Sequence, residues 1–153
     1  MRKTVMRTTT GAAILAGALA AAGGQALAQD TDAQANAAYA EIAKTMGGVP
    51  DFVKLFPKVG IAGAWAETRD LELSDKTALT PKEKSLISLA VAAQIPCQYC
   101  IWLDTVSARK AGATDEDIAE AVAMAALARH WSTVFNGLQI DFATFKQQMG
   151  SGQ

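Results

Sequence analysis

The sequence predicts an all-α protein in which a single helical domain follows a short leader. Apolar residues recur at three- and four-residue spacing through most of the chain, which is the period of a helix with one buried face. Glycine and proline separate these stretches, as they commonly do between helices. The strict alternation of apolar and polar residues that marks a half-buried strand is not found in the sequence.

The leader has the three parts of a secretory signal peptide. Its positive charges are Arg2, Lys3 and Arg7, and an uncharged run rich in alanine and glycine follows over residues 11–24. Ala26-Leu27-Ala28 provides the small-x-small pattern of a cleavage site. The run is too short for a convincing membrane span, so we expect cleavage and no stable membrane insertion, with an uncleaved anchor as the alternative. The signal peptide is then residues 1–28, the mature domain is residues 29–153, and the protein is secreted, to the periplasm.

The charge balance argues against a nucleic-acid partner. The whole chain has a formal net charge of −1, and loss of the three positive leader charges changes it to −4. A mildly acidic chain without a basic run lacks the electrostatic footprint of nucleic-acid binding. Export also implies an oxidising compartment, in which closely spaced cysteines rest as a disulfide unless a reductant reaches them.

The first half of the mature domain predicts helical segments separated by glycine and proline. The first segment spans about residues 31–46, ends at Gly47-Gly48, and carries Tyr39, Ile42 and Met46 at helical spacing. Pro50 opens the next segment. A dense apolar patch interrupted by Pro57 follows, made of Phe52, Leu55, Phe56, Val59 and Ile61. A further helix passes through Ala64, Trp65 and Leu71, before a polar connection from Ser74 to Leu79.

The second half begins with a strong helix start. Thr80 fits the N-cap, Pro81 fits the first helical position, and Glu83 can complete a capping box. The apolar positions of this helix are Leu86, Leu89, Ala90 and Ala93. Pro96 ends or kinks it.

Three more helices are predicted after Pro96. The first runs from about Cys97 to Ala111, with Gly112 as its C-cap. Thr114 and Asp117 form a second capping box. The predicted core face of the helix that they start is Ala119, Val122, Ala123, Ala126 and Leu127. Asn136-Gly137 ends or kinks that helix, and a last amphipathic helix carries Leu138, Phe142 and Phe145.

Cys97-Gln98-Tyr99-Cys100 contains the only two cysteines of the chain. Residues three apart share one face of a helix, so the two sulfurs can meet. The free N–H groups and the positive dipole end of a helix start stabilise a thiolate. Such a pair can cycle between dithiol and disulfide, which makes thiol redox chemistry the first hypothesis. A static disulfide and half of a metal site are the alternatives, although a zinc site would need more ligands than this one pair.

Four stretches together resemble the carboxymuconolactone decarboxylase superfamily, and most closely its alkylhydroperoxidase D-like branch. They are residues 86–93 (LISLAVAA), 97–101 (CQYCI), 110–114 (KAGAT) and 118–121 (IAEA). The resemblance implies a helical domain that usually assembles into homo-oligomers. It also implies that Cys100 attacks peroxide and that Cys97 resolves the product. The residues alone would instead favour Cys97 as the attacking thiol, because it is more N-terminal and is expected to be more exposed.

The chain departs from the family pattern at two positions. Peroxidases of this family usually carry a glutamate twelve residues before the first cysteine and a histidine four residues after the second, and these relay the proton that activates the thiol. This chain has Ser85 and Asp104 at those positions. Serine is a poor base. Asp104 lies one helical turn from Cys100 and can accept a proton, but its charge raises the pKa of a nearby thiol.

His130, the only histidine, is a further acid–base candidate. It continues the helical stripe of Ala123, Ala126 and Leu127, so we expect it on the apolar side, either as a core histidine or beside the cysteines. Metal ligation together with the cysteines and Asp104 is a third interpretation. The capping role is the simplest explanation of Glu83, with membership of the proton relay as the alternative. Tyr99 and Trp102 flank the thiols, and either pack on a neighbouring helix or subunit or line a pocket.

These observations favour a thiol-dependent oxidoreductase of the cell envelope. The predicted catalytic residues are Cys100, Cys97, Asp104 and His130, and no cofactor or resident metal is predicted. The substrate is a hydroperoxide or a disulfide, and an unidentified thiol supplies the electrons. A non-catalytic helical oligomer with a structural disulfide is the main alternative. Lactone decarboxylation is a weaker one, because that chemistry has no use for two adjacent thiols.

Overall fold

The computed structural model describes the backbone of residues 12–150 and the side chains of residues 29–150. Every regular element in this part of the chain is helical, which confirms the predicted all-α class. The predicted signal peptide lies outside the residues that are described in full. Within the described residues, no helix combines the length and the apolar character needed to span a bilayer. The chain divides into two compact units, Met1–Leu71 and Glu72–Gln153.

Three helices build the first unit: α1 (Ala12–Met46), α2 (Asp51–Lys54) and α3 (Lys58–Glu67). α1 ends before Gly47, as predicted, and the φ of +79° at Gly47 lies in the left-handed region that favours glycine. Pro50 and Pro57 occupy the N-cap positions of α2 and α3. A π-helical turn, Thr68–Glu72, follows α3.

A small core forms where α1 packs on α3. Its buried side chains are Ala35, Ala38, Ile42, Val53, Ile61 and Trp65. The Trp65 indole donates a hydrogen bond from Nε1 to the Glu41 carboxylate at 2.8 Å, so the polar edge of this large side chain is satisfied. The apolar patch predicted over residues 52–61 is mostly outside this core. α2 is a single helical turn, and Val53 is its one buried residue. Leu55 and Val59 are 85% and 80% exposed.

The second unit contains α4 (Pro81–Gln94), α5 (Gln98–Lys110), α6 (Asp115–Gly137) and α7 (Phe142–Gly150). Both predicted capping boxes are present. Thr80 Oγ1 accepts from the Glu83 N–H at 3.2 Å, and Thr114 Oγ1 accepts from the Asp117 N–H at 3.0 Å. Gly112, which follows α5, has a φ of +86° and lets the chain turn towards α6. Leu138, predicted in the last helix, caps the end of α6 instead.

α4 and α6 lie side by side and run in the same direction. Lys82, near the start of α4, forms an ion pair with Asp117, near the start of α6, at 2.6 Å. Twelve residues further along each helix, Gln94 accepts a hydrogen bond from Arg129 at 2.9 Å. The two links are therefore separated by the same rise, about 18 Å, on both helices. α5 packs on α4 after a short connection, so Cys97 lies at the same end of the helix pair as Gln94.

The face of α6 that the sequence predicts as core is exposed. None of the residues of α6 is buried, and Val122 and Leu127 on the predicted face are 39% and 48% exposed. The side towards α4 is that of Ala125, whose carbonyl accepts a hydrogen bond from Gln94. Because α6 is rich in alanine around most of its circumference, a three- and four-residue spacing can be traced along more than one side, and the stripe chosen from sequence is wrong as a core face of this chain.

Candidate functional site

The two cysteines form a disulfide at the start of α5. Their Cα atoms are 5.4 Å apart. Cys97 is the N-cap of α5, and its sulfur accepts a hydrogen bond from the Cys100 backbone N–H at 3.3 Å. The Cys97 N–H donates to the Ala92 carbonyl at 3.1 Å, which ties the pair to the last turn of α4. The helix start thus offers backbone N–H groups and a positive dipole end that favour a thiolate after reduction.

The two sulfur-bearing residues differ in exposure. Cys100 is exposed and Cys97 is half-buried, so the expectation that Cys97 is the more exposed residue is wrong. The N-cap position explains the difference, because a side chain that accepts a hydrogen bond from the first turn folds back onto that turn. Cys100 is therefore the more accessible residue of the pair.

Ser85 and Asp104 occupy the two relay positions of the family pattern, and neither reproduces the usual chemistry. The Ser85 hydroxyl donates to the Pro81 carbonyl at 3.0 Å, one turn earlier in α4. A hydroxyl committed to the backbone in this way is not a base for a thiol. Asp104 is one helical turn after Cys100 on α5, is 9% exposed, and has no hydrogen-bond or ion-pair partner among the described residues.

The surroundings of Asp104 favour its neutral form. Burial raises the pKa of the Asp104 carboxyl above its ordinary value, and the negative charge of Glu72 raises it further. The carboxyl thus keeps its proton to a higher pH than a solvated aspartate does. Asp104, one helical turn from Cys100, is therefore a better candidate for proton donation than a solvated aspartate is.

No contact between His130 and the cysteines is found among the described residues. His130 is exposed, so it is not a core histidine in the described chain. It is five residues after Ala125, which places it about 140° around α6 from the side that touches α4. Its ring contacts Trp131 edge-on, with 5.2 Å between ring centroids, and no described hydrogen bond or ion pair joins it to Cys97 or Cys100.

Arg129, which was not predicted as a site residue, bonds to the last residue of α4. Its Nε donates to the Gln94 side-chain oxygen at 2.9 Å, and the Gln94 amide nitrogen donates to the Ala125 carbonyl at 2.6 Å. Gln94 is the last residue of α4, three residues before Cys97. The signal was available in the sequence, because Ala125 and Arg129 are four residues apart and therefore share one face of the helix.

The remaining candidates have simple structural roles. Glu83 accepts hydrogen bonds from the Thr80 N–H and hydroxyl at 2.7 and 2.8 Å, which confirms the capping interpretation. Those bonds hold the pKa of Glu83 below its ordinary value. Tyr99 and Trp102 are 78% and 68% exposed beside the disulfide. In the described part of the chain, no group of three or more His, Cys, Asp or Glu side chains is arranged to hold a metal ion.

The fold and the site define a class of all-helical proteins with a Cys-x-x-Cys disulfide at a helix start. The model of the carboxymuconolactone decarboxylase family matches residues 60–141, which is more than half of the chain. The chain belongs to this family. The match covers all of α4, α5 and α6 and therefore includes both cysteines.

A solved structure extends this assignment at the level of the fold. The alkylhydroperoxidase AhpD core from Rhodospirillum rubrum is similar over 75% of this chain and 87% of that chain, with a TM-score of 0.61 and 24% sequence identity. This likeness confirms the alkylhydroperoxidase D-like fold. No curated protein matches the sequence.

Proposed function

We propose that this protein is a thiol-dependent hydroperoxide reductase in which Cys100 attacks the peroxide and Cys97 resolves the product. The observation that carries the proposal is the disulfide at the start of α5, with Cys100 exposed and Cys97 half-buried behind it. The alkylhydroperoxidase D-like fold supports the same chemistry.

The cycle begins with the reduced pair. The Cys100 thiolate attacks the terminal oxygen of the hydroperoxide, the O–O bond breaks, and the alkoxide leaves as an alcohol after taking a proton. Cys100 is then a sulfenic acid. The Cys97 thiol attacks the Cys100 sulfur, an S–S bond forms, and water leaves with the Cys97 proton. A dithiol reductant returns two electrons and two protons, which restores the pair.

Two features of the site suit these steps. The positive dipole end of α5 favours a thiolate on Cys100 without a neighbouring histidine, and the Cys100 N–H donates to the sulfur of the resolving residue, Cys97. Asp104, which burial keeps protonated to a higher pH, can supply the proton that the leaving alkoxide needs. Asp104 therefore takes the place of the family histidine as the acid of the relay, and His130 is left without a part in it.

A structural disulfide is the alternative that the site itself favours least. Cys97 and Cys100 are three residues apart, and both belong to the start of one helix. A bridge that closes so short a loop restricts the unfolded chain little. It contributes about 2 kcal/mol to the free energy of unfolding, whereas a bridge across a 100-residue loop contributes nearly 5 kcal/mol. The pair also joins no second element, so its position is better explained by reactivity than by stabilisation.

Disulfide exchange with a partner protein is the second candidate function. It uses the same two sulfurs, and the exposed rings of Tyr99 and Trp102 beside Cys100 suit contact with another chain. A hydroperoxide reductase and an exchange protein differ in the oxidant, which is a peroxide in one and a disulfide in the other.

We further propose that the protein works as a homo-oligomer through exposed apolar side chains of α6. Val122, Ala126 and Leu127 are exposed there at helical spacing. A second copy presents the same surface, so two such helices can cover each other. The proposal commits to a second copy, and a monomer in solution would contradict it.

The test of the redox function is stopped-flow oxidation of the reduced, leader-free protein by hydrogen peroxide and by an organic hydroperoxide. The wild type is expected to react at least 100-fold faster than a free thiol at the same pH, and to end as the Cys97–Cys100 disulfide. Cys100→Ser should lose the fast phase entirely. Cys97→Ser should keep it and stop at the sulfenic acid, because the resolving thiol is gone.

A matched exchange measurement separates the two candidate functions. The same reduced protein is mixed with oxidised glutathione. If a disulfide substrate oxidises the pair quickly and peroxides react no faster than they do with a free thiol, exchange replaces peroxide reduction. If neither oxidant reacts quickly, the pair is structural.

A further inference from the structure

Arg129 forms no ion pair with any described residue. Three arginines fall within the part of the chain whose side chains are described. Arg69 pairs with Glu41 and Asp70, and Arg109 pairs with Asp115. Arg129 bonds instead to the neutral side chain of Gln94, and no carboxylate in the described chain pairs with it. Its charge is therefore available to a ligand.

Gln94 holds this guanidinium in place. The amide oxygen of Gln94 accepts from Arg129 Nε at 2.9 Å, and the amide nitrogen donates to the Ala125 carbonyl at 2.6 Å. The two partners on α6 are one helical turn apart, so the amide bridges that turn. With Nε committed, the two Nη groups have no hydrogen-bond acceptor in the described chain. Two parallel N–H groups of this kind match the two oxygens of a carboxylate.

This guanidinium belongs to the end of the second unit where the disulfide lies. Gln94 ends α4, Cys97 follows three residues later, and the Cys97 N–H is bonded to Ala92 in the same last turn of α4. The exposed apolar side chains of Ile95 and Tyr99 lie along the intervening and following chain, 65% and 78% exposed. One end of the helix pair thus combines a reactive sulfur, apolar side chains and a fixed cation.

We propose that Arg129 is an anion-binding residue of the redox site and that the substrate is a hydroperoxide carrying a carboxylate on an apolar chain. The inference rests on the proposed function for the reaction itself. The carboxylate binds the Nη groups of Arg129, the apolar chain lies against the side chains next to the disulfide, and the peroxide group meets Cys100. The bonds that break and form are those of the cycle above, and Arg129 takes no part in proton transfer.

The first test does not depend on peroxide chemistry. Reduced full-length protein is alkylated with iodoacetate, which carries a carboxylate, and with neutral iodoacetamide, and the rate at Cys100 is read by peptide mass spectrometry. The same thiolate attacks the iodine-bearing carbon of both reagents and displaces iodide, so the ratio of the two rates is independent of the thiol pKa. Arg129→Gln is expected to lower the iodoacetate-to-iodoacetamide ratio about threefold or more, and 1 M salt should remove the difference.

The matched control is Arg109→Gln, which makes the same change in net charge near the other end of α5. This variant should leave the iodoacetate-to-iodoacetamide rate ratio unchanged. Arg129→Lys should keep most of the wild-type ratio, because lysine keeps the charge, and should lose the remainder, because lysine lacks the paired N–H groups. An Arg129→Gln ratio equal to that of the wild type overturns the inference and leaves the proposed function untouched.

The second test uses the proposed substrate class. A fatty-acid hydroperoxide is compared with cumene hydroperoxide, which has no carboxylate. Arg129→Gln should slow oxidation of Cys100 by the acid about tenfold and leave oxidation by cumene hydroperoxide within twofold. An equal loss with both peroxides overturns the inference, because Arg129 would then act on the thiol. If neither peroxide oxidises Cys100, the proposed function is wrong, and the alkylation ratio still decides whether Arg129 binds anions.

Discussion

At the scale of single residues, Asp104 is the least ordinary group near the disulfide. A carboxyl that is 9% exposed and has no described hydrogen-bond partner is costly when it is ionised. Its pKa is raised by burial first and by Glu72 second. The protein retains an acid where an apolar residue would cost less, which fits a group that gives and takes a proton.

This raised pKa predicts how stability depends on pH. Asp104 contributes its stabilisation fully below the pKa of an unfolded aspartate, near 3.9, and loses it as the pH rises through the raised pKa of the folded protein. Asp104→Asn should therefore be more stable than the wild type at pH 7. We expect a gain in Tm of roughly 2–4 °C, the shift that about 1 kcal/mol produces in a chain of this size.

Thermal unfolding followed by circular dichroism between pH 3 and pH 8 measures this effect. The gain should shrink as the pH falls, because both proteins then have a neutral group at position 104. Asp75→Asn, an exposed change in the connection before α4, is the matched control and should shift Tm little at any pH. A gain in Tm that is independent of pH would show that the two proteins differ in stability through packing and not through the ionisation of Asp104.

Residue-level prediction succeeded where chemistry is local and failed where it depends on helix packing. The cysteine pair, the capping role of Glu83 and the position of Asp104 depend on neighbours within four residues, and sequence reveals such neighbours. His130 and Arg129 depend on which side of α6 meets α4. One residue along a helix is a rotation of about 100°. A small error in the predicted buried side of α6 therefore puts His130, and not Arg129, on the side that meets α4.

At the scale of elements, the second unit depends on two capped helix starts joined to each other. Lys82, in the first turn of α4, pairs with Asp117, in the first turn of α6. The hydrogen bond from Lys82, followed by those from the backbone and side chain of Thr114, lowers the pKa of Asp117 to about 2. Asp117 thus contributes stability above the pKa of an unfolded aspartate and loses it as the pH falls through about 2.

Removing the cap of α6 tests this arrangement. Thr114→Ala deletes the hydroxyl that accepts from the Asp117 N–H, and should lower the free energy of unfolding by about 1 kcal/mol. The pKa of Asp117 should also rise, since one of its hydrogen-bond donors is lost. Urea unfolding measures the first effect, and an NMR titration of the carboxyl measures the second.

Thr133→Ala provides the comparison within the same helix. The Thr133 hydroxyl donates to the Arg129 carbonyl in the helix interior, where alanine is the better helix former. This variant should be as stable as the wild type or more so. Equal losses at positions 114 and 133 would contradict a specific capping contribution.

The elements themselves were largely predictable. Both capping boxes, the end of α1 before Gly47 and the end of α6 at Gly137 coincide with their sequence signals, because caps, and at Gly47 a left-handed glycine, act locally. The burial of apolar side chains was less predictable. Phe52 and Leu55 are as apolar as Ile61, but only Ile61 lies on the side of its helix that meets α1.

At the scale of the whole molecule, much apolar surface remains uncovered in one copy of the chain. The buried apolar residues of the described second unit are Leu89, Ala92 and Ala108. The 23-residue helix α6 has no fully buried side chain. Sequence patterns report that a face is apolar and do not report whether the same chain or another copy covers it. This is why the α6 face could be recognised as apolar but was wrongly assigned to the core of this chain.

The oligomer proposal predicts a specific failure of assembly. Leu127→Glu introduces a charge into the exposed side of α6 and should dissociate the oligomer, because an unpaired charge is costly in an apolar interface. Sedimentation equilibrium on the leader-free protein measures the mass. Leu55→Glu makes the same change on an exposed residue of the first unit and should leave the mass unchanged.

The peroxide reaction should survive this change at the level of one copy. Leu127 and Arg129 lie about 160° apart around the axis of α6, so the assembly face and the proposed anion site are on different sides. A monomeric Leu127→Glu protein with normal Cys100 oxidation would separate assembly from chemistry. A wild-type protein that is already a monomer would contradict the oligomer proposal.

The paired links between α4 and α6 have a consequence for the redox cycle. Lys82–Asp117 and Gln94–Arg129 hold the two helices together at both ends, and neither link includes a sulfur atom. We therefore expect reduction of the disulfide to change mainly the first turn of α5, where the Cys97 sulfur accepts from the Cys100 N–H, and to leave both links in place.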